Sequence, residues 1–122
     1  MKTLLVALAG AALAAASPAL AADPAHGGAL YAQWCGYCHD PVSQHQPELA
    51  GTYTLEQRYK GQKPAALVDR RDLTPDFVHT VVRRGLNVMP FFRRTEISDA
   101  DLDDIAAFLA KQPAGAAERS AR

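Results

Sequence analysis

WCGYCHD, residues 34–40, sets two cysteines three positions apart with a histidine directly after the second, and the chain has no other cysteine. Three chemistries use such a spacing: a redox-active dithiol, half of a zinc site, and covalent attachment of haem. The flanking residues weigh between them, and with them between folds. A redox C-x-x-C follows a strand within alternating βαβ segments. Here Asp23-Pro24 leads into AHGGALYAQW, which reads as a helix over Pro24 to Cys35 with an Asp N-cap and Pro at its first position. A structural zinc needs four ligands, almost always closed by a second, closely spaced pair. His45 and His79 could contribute, but they lie far apart and carry no paired spacing. Haem attachment uses all five residues of Cys35-Gly36-Tyr37-Cys38-His39. The two thiols add to the vinyl groups at one edge of the macrocycle, and His39 is placed under the iron to coordinate it.

The chain opens MKTLLVALAGAALAAASPALAAD, with one lysine, an apolar run from Leu4 to about Ala16 and small residues around Ala19 to Ala22. That pattern is a secretory signal peptide. The run is shorter than the ~20 residues a bilayer requires, so no membrane span is expected after cleavage. The expected organisation is a leader over 1–22, one domain over 23–112 and a disordered tail over 113–122, with the product in the periplasm. Outside the cytoplasm thiols tend to oxidise, and two cysteines in a small exported domain would normally be bridged. Closing so short a loop would make that bridge redox-active, unless the sulfurs are used for something else. A domain of about 100 residues has a modest core that a buried cofactor would help to fill. With 13 basic and 13 acidic side chains the chain is electrically balanced, which argues against a nucleic-acid role.

With His39 on one side of the iron, the group on the other side separates electron transfer from ligand chemistry. Beyond the leader the one methionine is Met89, in GLNVMPFF (85–92). It follows a helix stop at Gly85 and is fixed by Pro90, so it sits on a constrained loop from which a thioether could reach the iron. His26, His45 and His79 are read as solvent-facing or hydrogen-bonded, with His45 or His79 as the fallback ligand. Two further helices are predicted. One has Thr74 as N-cap, Pro75 at N1, an apolar face of Phe77, Val78, Val81 and Val82, and Gly85 as its stop. The other starts at Ser98, with Asp101 in a capping-box arrangement, and carries Leu102, Ile105, Phe108 and Leu109 to about Lys111. Shorter helices are expected over Leu55 to Lys60 and Pro64 to Arg71. With no alternating strand, the domain is expected to be all-α.

These residues together resemble a class I c-type cytochrome over nearly the whole exported chain. The resemblance rests on Gly27 and Tyr31 ahead of the haem cysteines, with Ile105 and Phe108 as their partners on the last helix. It also rests on the Pro47-Glu-Leu49-Ala-Gly51 stretch and on Met89-Pro90. It implies three main helices packed around one covalent haem c, attached through Cys35 and Cys38 and ligated by His39 and Met89. It further implies that the Pro47 carbonyl accepts the Nδ1 proton of His39, orienting the ring and raising its basicity. RYKGQKPAALVDRRDLTPDFV and VVRRGLNVMPFFRRTEISDADLDDI are similar to the small cytochrome subunits of flavocytochrome dehydrogenases such as p-cresol methylhydroxylase. That narrower resemblance implies a flavoprotein dehydrogenase as electron donor and a soluble protein as acceptor. Arg83, Arg84, Arg93 and Arg94 bracket Met89, and are read either as solvated charges or as a basic rim for an acidic partner. The alternative function class is a haem enzyme or gas-ligand sensor with an open or labile sixth position. Trp34, Tyr53, Arg58 and Tyr59 are candidate donors to haem propionates.

Overall fold

The computed structural model describes residues 21–41 and 51–110. The expectations for the leader before residue 21, for His45 and Pro47, and for the 113–122 tail therefore lie outside the described residues. Among the described residues five α-helices follow one another: α1 Pro24–Trp34, α2 Gly36–His39, α3 Gly51–Tyr59, α4 Pro75–Arg84 and α5 Asp99–Ala110. A 3₁₀ turn at Leu67–Asp69 lies between α3 and α4. No strand occurs among the described residues, only a single bridge between Leu86 and Met89. The domain is all-α.

The ends of the long helices are set by local chemistry. The Asp23 carboxylate accepts from the amides of Ala25 (2.8 Å) and His26 (3.3 Å), satisfying N–H groups that have no partner within α1. Thr74 does the same for α4, accepting from Phe77 at 3.3 Å, and Gly85 ends that helix in a left-handed conformation with φ 71°. Ser98 accepts from the Asp101 amide at 3.1 Å, the N-cap half of the expected box, while the Asp101 carboxylate accepts from the Ser98 hydroxyl at 2.8 Å rather than from its amide.

Three expectations shift. A short helix, α2, directly follows α1 where only the attachment motif was read. The helix expected from Leu55 begins four residues earlier, at Gly51. The helix expected over Pro64 to Arg71 contracts to the one 3₁₀ turn, after which Arg70 is held by tertiary contacts.

The core forms where α1, α4 and α5 meet. Ile97, Leu102 and Ile105 are fully buried, with Tyr31, Val78, Val82, Ala106 and Leu109 around them. Gly27 is the crossing point of α1 and α5. A methyl group there would overlap the Asp104 carbonyl and lie 2.9 Å from the Ile105 nitrogen, and backbone cannot move aside as a side chain can. The Tyr31 and Phe108 rings meet beside it with centroids 5.5 Å apart.

Asp104 closes the same crossing by a second route, accepting from the Asp23 amide at 2.6 Å and pairing with His26 Nδ1 at 2.7 Å. The hydrogen bond to Asp104 raises the pKa of His26. A raised folded-state pKa gives a contribution that is complete below the ordinary histidine value near 6.5 and fades as pH climbs through the raised one. His26→Ala is therefore expected to lower the thermal midpoint more at pH 5.5 than at pH 8.5. The effect is small, as for any exposed pair, and melts of both proteins across that range check it.

Candidate functional site

Cys35 is the hinge on which the site is built. It caps α1, donating its amide to the Tyr31 carbonyl at 2.8 Å, and its own carbonyl accepts from Cys38 (3.1 Å) and His39 (2.9 Å) to start α2. Residues three and four apart are neighbours on a helix, so this one turn sets Cys38 and His39 each beside Cys35. The two cysteines are not bonded to each other. Burial, and to a lesser degree Asp40 and Cys38, pushes the Cys35 thiol up to about 11. A reactive dithiol needs the opposite shift, toward thiolate. Among the described residues no three side chains of His, Cys, Asp or Glu are grouped as a metal ion would require.

An apolar cavity opens beside this turn, with about 920 Å³ of space that includes its open mouth. Cys35, His39 and Met89 all line it. Leu73, Val78 and Val82 supply apolar wall from the α4 side, and Ile105 and Leu109 from α5. Cys38 does not line the cavity. Neither do Trp34, which packs edge-on against Phe92 at 6.1 Å, or Tyr53.

Burial lowers the pKa of His39, favouring the neutral imidazole that coordinates metals. Its Nδ1 is buried with no hydrogen-bond partner among the described residues. The Pro47 carbonyl expected there lies in the undescribed stretch. Gly51, the first residue of α3, presses its Cα side against the ring. A Cβ at this position would lie 2.7 Å from Nδ1 and 2.9 Å from Nε2, and closer still to Cε1.

Met89 is held by a tight turn. Its amide and carbonyl are both bonded to Leu86, at 3.0 and 3.1 Å. Asn87 takes a left-handed φ of 55°, which asparagine tolerates better than most residues. The Phe92 amide then donates to Val82 at 2.8 Å, returning the segment to α4. Met89 is half-buried against the core.

Polar groups meet the cavity at Arg58, Tyr59 and Arg70. Arg70 is 6% exposed. Its Nε and Nη2 donate to the two oxygens of Asp72, each at 2.7 Å, and its Nη1 donates to the Tyr59 hydroxyl at 2.8 Å. That pairing holds the Asp72 carboxyl well below the usual carboxylate range. The cavity thus combines an apolar wall with hydrogen-bond donors at the Tyr59–Arg70 corner, the pairing that an apolar cofactor bearing acid groups requires. Arg70 is the residue that sequence reasoning missed.

The remaining candidates separate. His26 pairs with Asp104, and His79 Nε2 lies 2.9 Å from Asp103, so neither lines the cavity. Of the four arginines expected to form a basic rim, Arg83 is folded inward and its side chain is 17% exposed. Arg93 pairs with Glu96 at 2.9 Å and Arg94 with Asp99 at 2.7 Å. Arg84 is exposed and makes no ion pair among the described residues. No helix among the described residues is long and apolar enough to cross a membrane.

Over residues 22–109 the chain matches the family described as cytochrome C oxidase, cbb3-type, subunit III. It is 30% identical over 89 residues to the 4-cresol dehydrogenase (hydroxylating) cytochrome c subunit of Pseudomonas putida, across 73% of this chain and 62% of that protein. It is 32% identical over 92 residues to cytochrome c6 of Cyanidioschyzon merolae, across 75% of this chain and 77% of that one. The chain thus spans less than two thirds of the length of the Pseudomonas relative. No solved structure matches it significantly.

Proposed function

We propose, because this chain belongs to the class I c-type cytochromes and is an electron carrier of that family, that it works through one haem c whose iron is held by His39 and Met89. Haem c, when bound, supplies one-electron cycling of iron between its ferrous and ferric states. Cys35 and Cys38 are the residues for covalent attachment, and the Pro47 carbonyl is the acceptor for the His39 Nδ1 proton. The observation that carries this reading is that Cys35, His39 and Met89 wall one apolar cavity, although Met89 is far from the other two in sequence.

The chain's own residues set the conditions for that chemistry. Valines and leucines exclude water, which favours the less charged oxidation state. A neutral His39 and the Met89 thioether would hold the iron, and an iron so held would pass electrons without binding a substrate. Arg58, Tyr59 and Arg70 offer charge-assisted hydrogen bonds to the acid groups.

The electron donor in this reading is an exported flavoprotein dehydrogenase, as the likeness to a 4-cresol dehydrogenase cytochrome subunit suggests, and the acceptor is a soluble protein in the periplasm. Arg84, Arg93 and Arg94 form the docking rim, with Glu96 and Asp99 offsetting part of its charge. Such a rim speeds encounter more than it tightens the complex.

The test is to produce the protein with haem-maturation machinery and mix its ferric form with a substrate-reduced flavoprotein dehydrogenase of the 4-cresol type. Rapid reduction that slows as salt rises is the expected result. A protein that carries haem but is reduced no faster than by free flavin would remove the flavoprotein from the reading.

A further inference from the structure

The segment that carries Met89 leaves α4 at Gly85 and rejoins the core at Ile97, and one side chain spans its exit. Arg83, in the last turn of α4, donates from Nη1 to the Phe92 carbonyl at 3.1 Å and from Nη2 to the Ile97 carbonyl at 2.9 Å. The same Nη2 reaches the Asp99 carboxylate at 2.8 Å, at the start of α5. No other described donor reaches either carbonyl. A single guanidinium thus joins α4, the end of the Met89 segment and α5. Asp99 is itself oriented from the far side by Arg94 Nε at 2.7 Å. Arginine suits this place because its planar fork can meet acceptors in several directions at once, which a lysine ammonium on a flexible stem cannot do with the same order.

We propose that Arg83 is the positioning residue that keeps the Met89 loop closed, tying its exit to α4 and α5 so that the thioether stays at the cavity. The proposal rests on the reading of Met89 as an axial ligand. It also divides the two arginine pairs around Met89 differently from their sequence pattern, with Arg83 serving the loop and Arg84 facing solvent.

The test uses the haem-loaded ferric protein and imidazole, a small ligand that can replace a thioether once the loop opens. Native protein, Arg83→Lys and Arg83→Met are compared in two measurements: the rate of imidazole binding, and hydrogen exchange at the Leu86, Met89 and Phe92 amides. In Arg83→Met both are expected to accelerate by about tenfold or more, as the loss of one hydrogen bond to a charged group implies. Exchange at Leu102 and Ile105, in the middle of α5, should stay near the native rate, and Arg83→Lys should fall between. Unchanged imidazole binding and unchanged exchange at the three loop amides would overturn the proposal. So would equal acceleration at Leu102 and Ile105, which would make Arg83 a support of the whole domain rather than of the loop. If the native ferric protein lacks the near-infrared band of thioether ligation, the ligand reading fails. The exchange at the three loop amides still decides the clamp.

Discussion

In the Met89→Ala protein the weak near-infrared band of ferric thioether ligation is expected to vanish, and the reduced protein is expected to bind carbon monoxide. The reduction potential should fall by on the order of 100 mV, within the ~0.8 V span over which axial ligands set haem potentials. The sign follows from the ligand, because a thioether favours ferrous iron and so raises the potential. Met89 is also half-buried against the core, so alanine removes packing as well as a ligand. Met89→Leu separates the two effects by keeping most of the volume and losing the sulfur. The spectroscopic change should be the same in both variants, while the loss of stability should be concentrated in alanine. Absorption spectra of both oxidation states with a potentiometric titration check this. A native ferric protein without the band would place the ligand elsewhere. His26 and His79 are already engaged by Asp104 and Asp103, which would leave His45 as the next candidate.

Gly51→Val is expected to reduce the yield of haem-bearing protein by roughly tenfold, in line with the cost of overpacking. A Cβ at this position would lie 2.7 Å from His39 Nδ1 and 2.9 Å from Nε2. Overpacking of this kind typically costs about 1–3 kcal/mol and is relieved by whatever moves most easily. Here the movable group is the imidazole ring itself, so relief displaces the ligand. The adjacent Thr52 separates this effect from simple weakening of α3. Its buried hydroxyl donates to the Asp40 carbonyl at 2.9 Å, and Thr52→Val removes that bond while leaving the ring untouched. Haem-to-protein ratios of the two variants, measured side by side, should differ sharply. Equal losses would mean that Gly51 matters for the helix and not for the ring.

Local chemistry made α1, α4 and α5 legible. Asp23-Pro24, Thr74-Pro75, Ser98 with Asp101, and the Gly85 stop each act within a few residues of the helix end they define. Helix α2 was hidden because its four residues include a glycine, and no side chain caps them. What holds it is the Cys35 carbonyl, a backbone group that no residue type announces. Of the residues that stand out in the sequence by rare chemistry, Cys35, His39 and Met89 line the cavity and Cys38 does not. Arg70 and Arg83 were opaque for a shared reason. Each stands in an Arg-Arg pair that reads as surface charge, and each is drawn inward by acceptors that only the fold supplies. For Arg70 the distant acceptor is the Tyr59 hydroxyl, and for Arg83 it is the carbonyls of Phe92 and Ile97.

The crossing of α1 over α5 at Gly27 has a consequence in time. Its partners lie at opposite ends of the described chain, so α1 cannot make its crossing contact until Asp99–Ala110 has been synthesised. Contacts this distant in sequence form late, after the loop-closure cost between them has been met. Until then Cys35, which ends half-buried against the core, stands open to its surroundings together with Cys38. The topology thus leaves both thiols accessible for as long as α5 has not packed across α1.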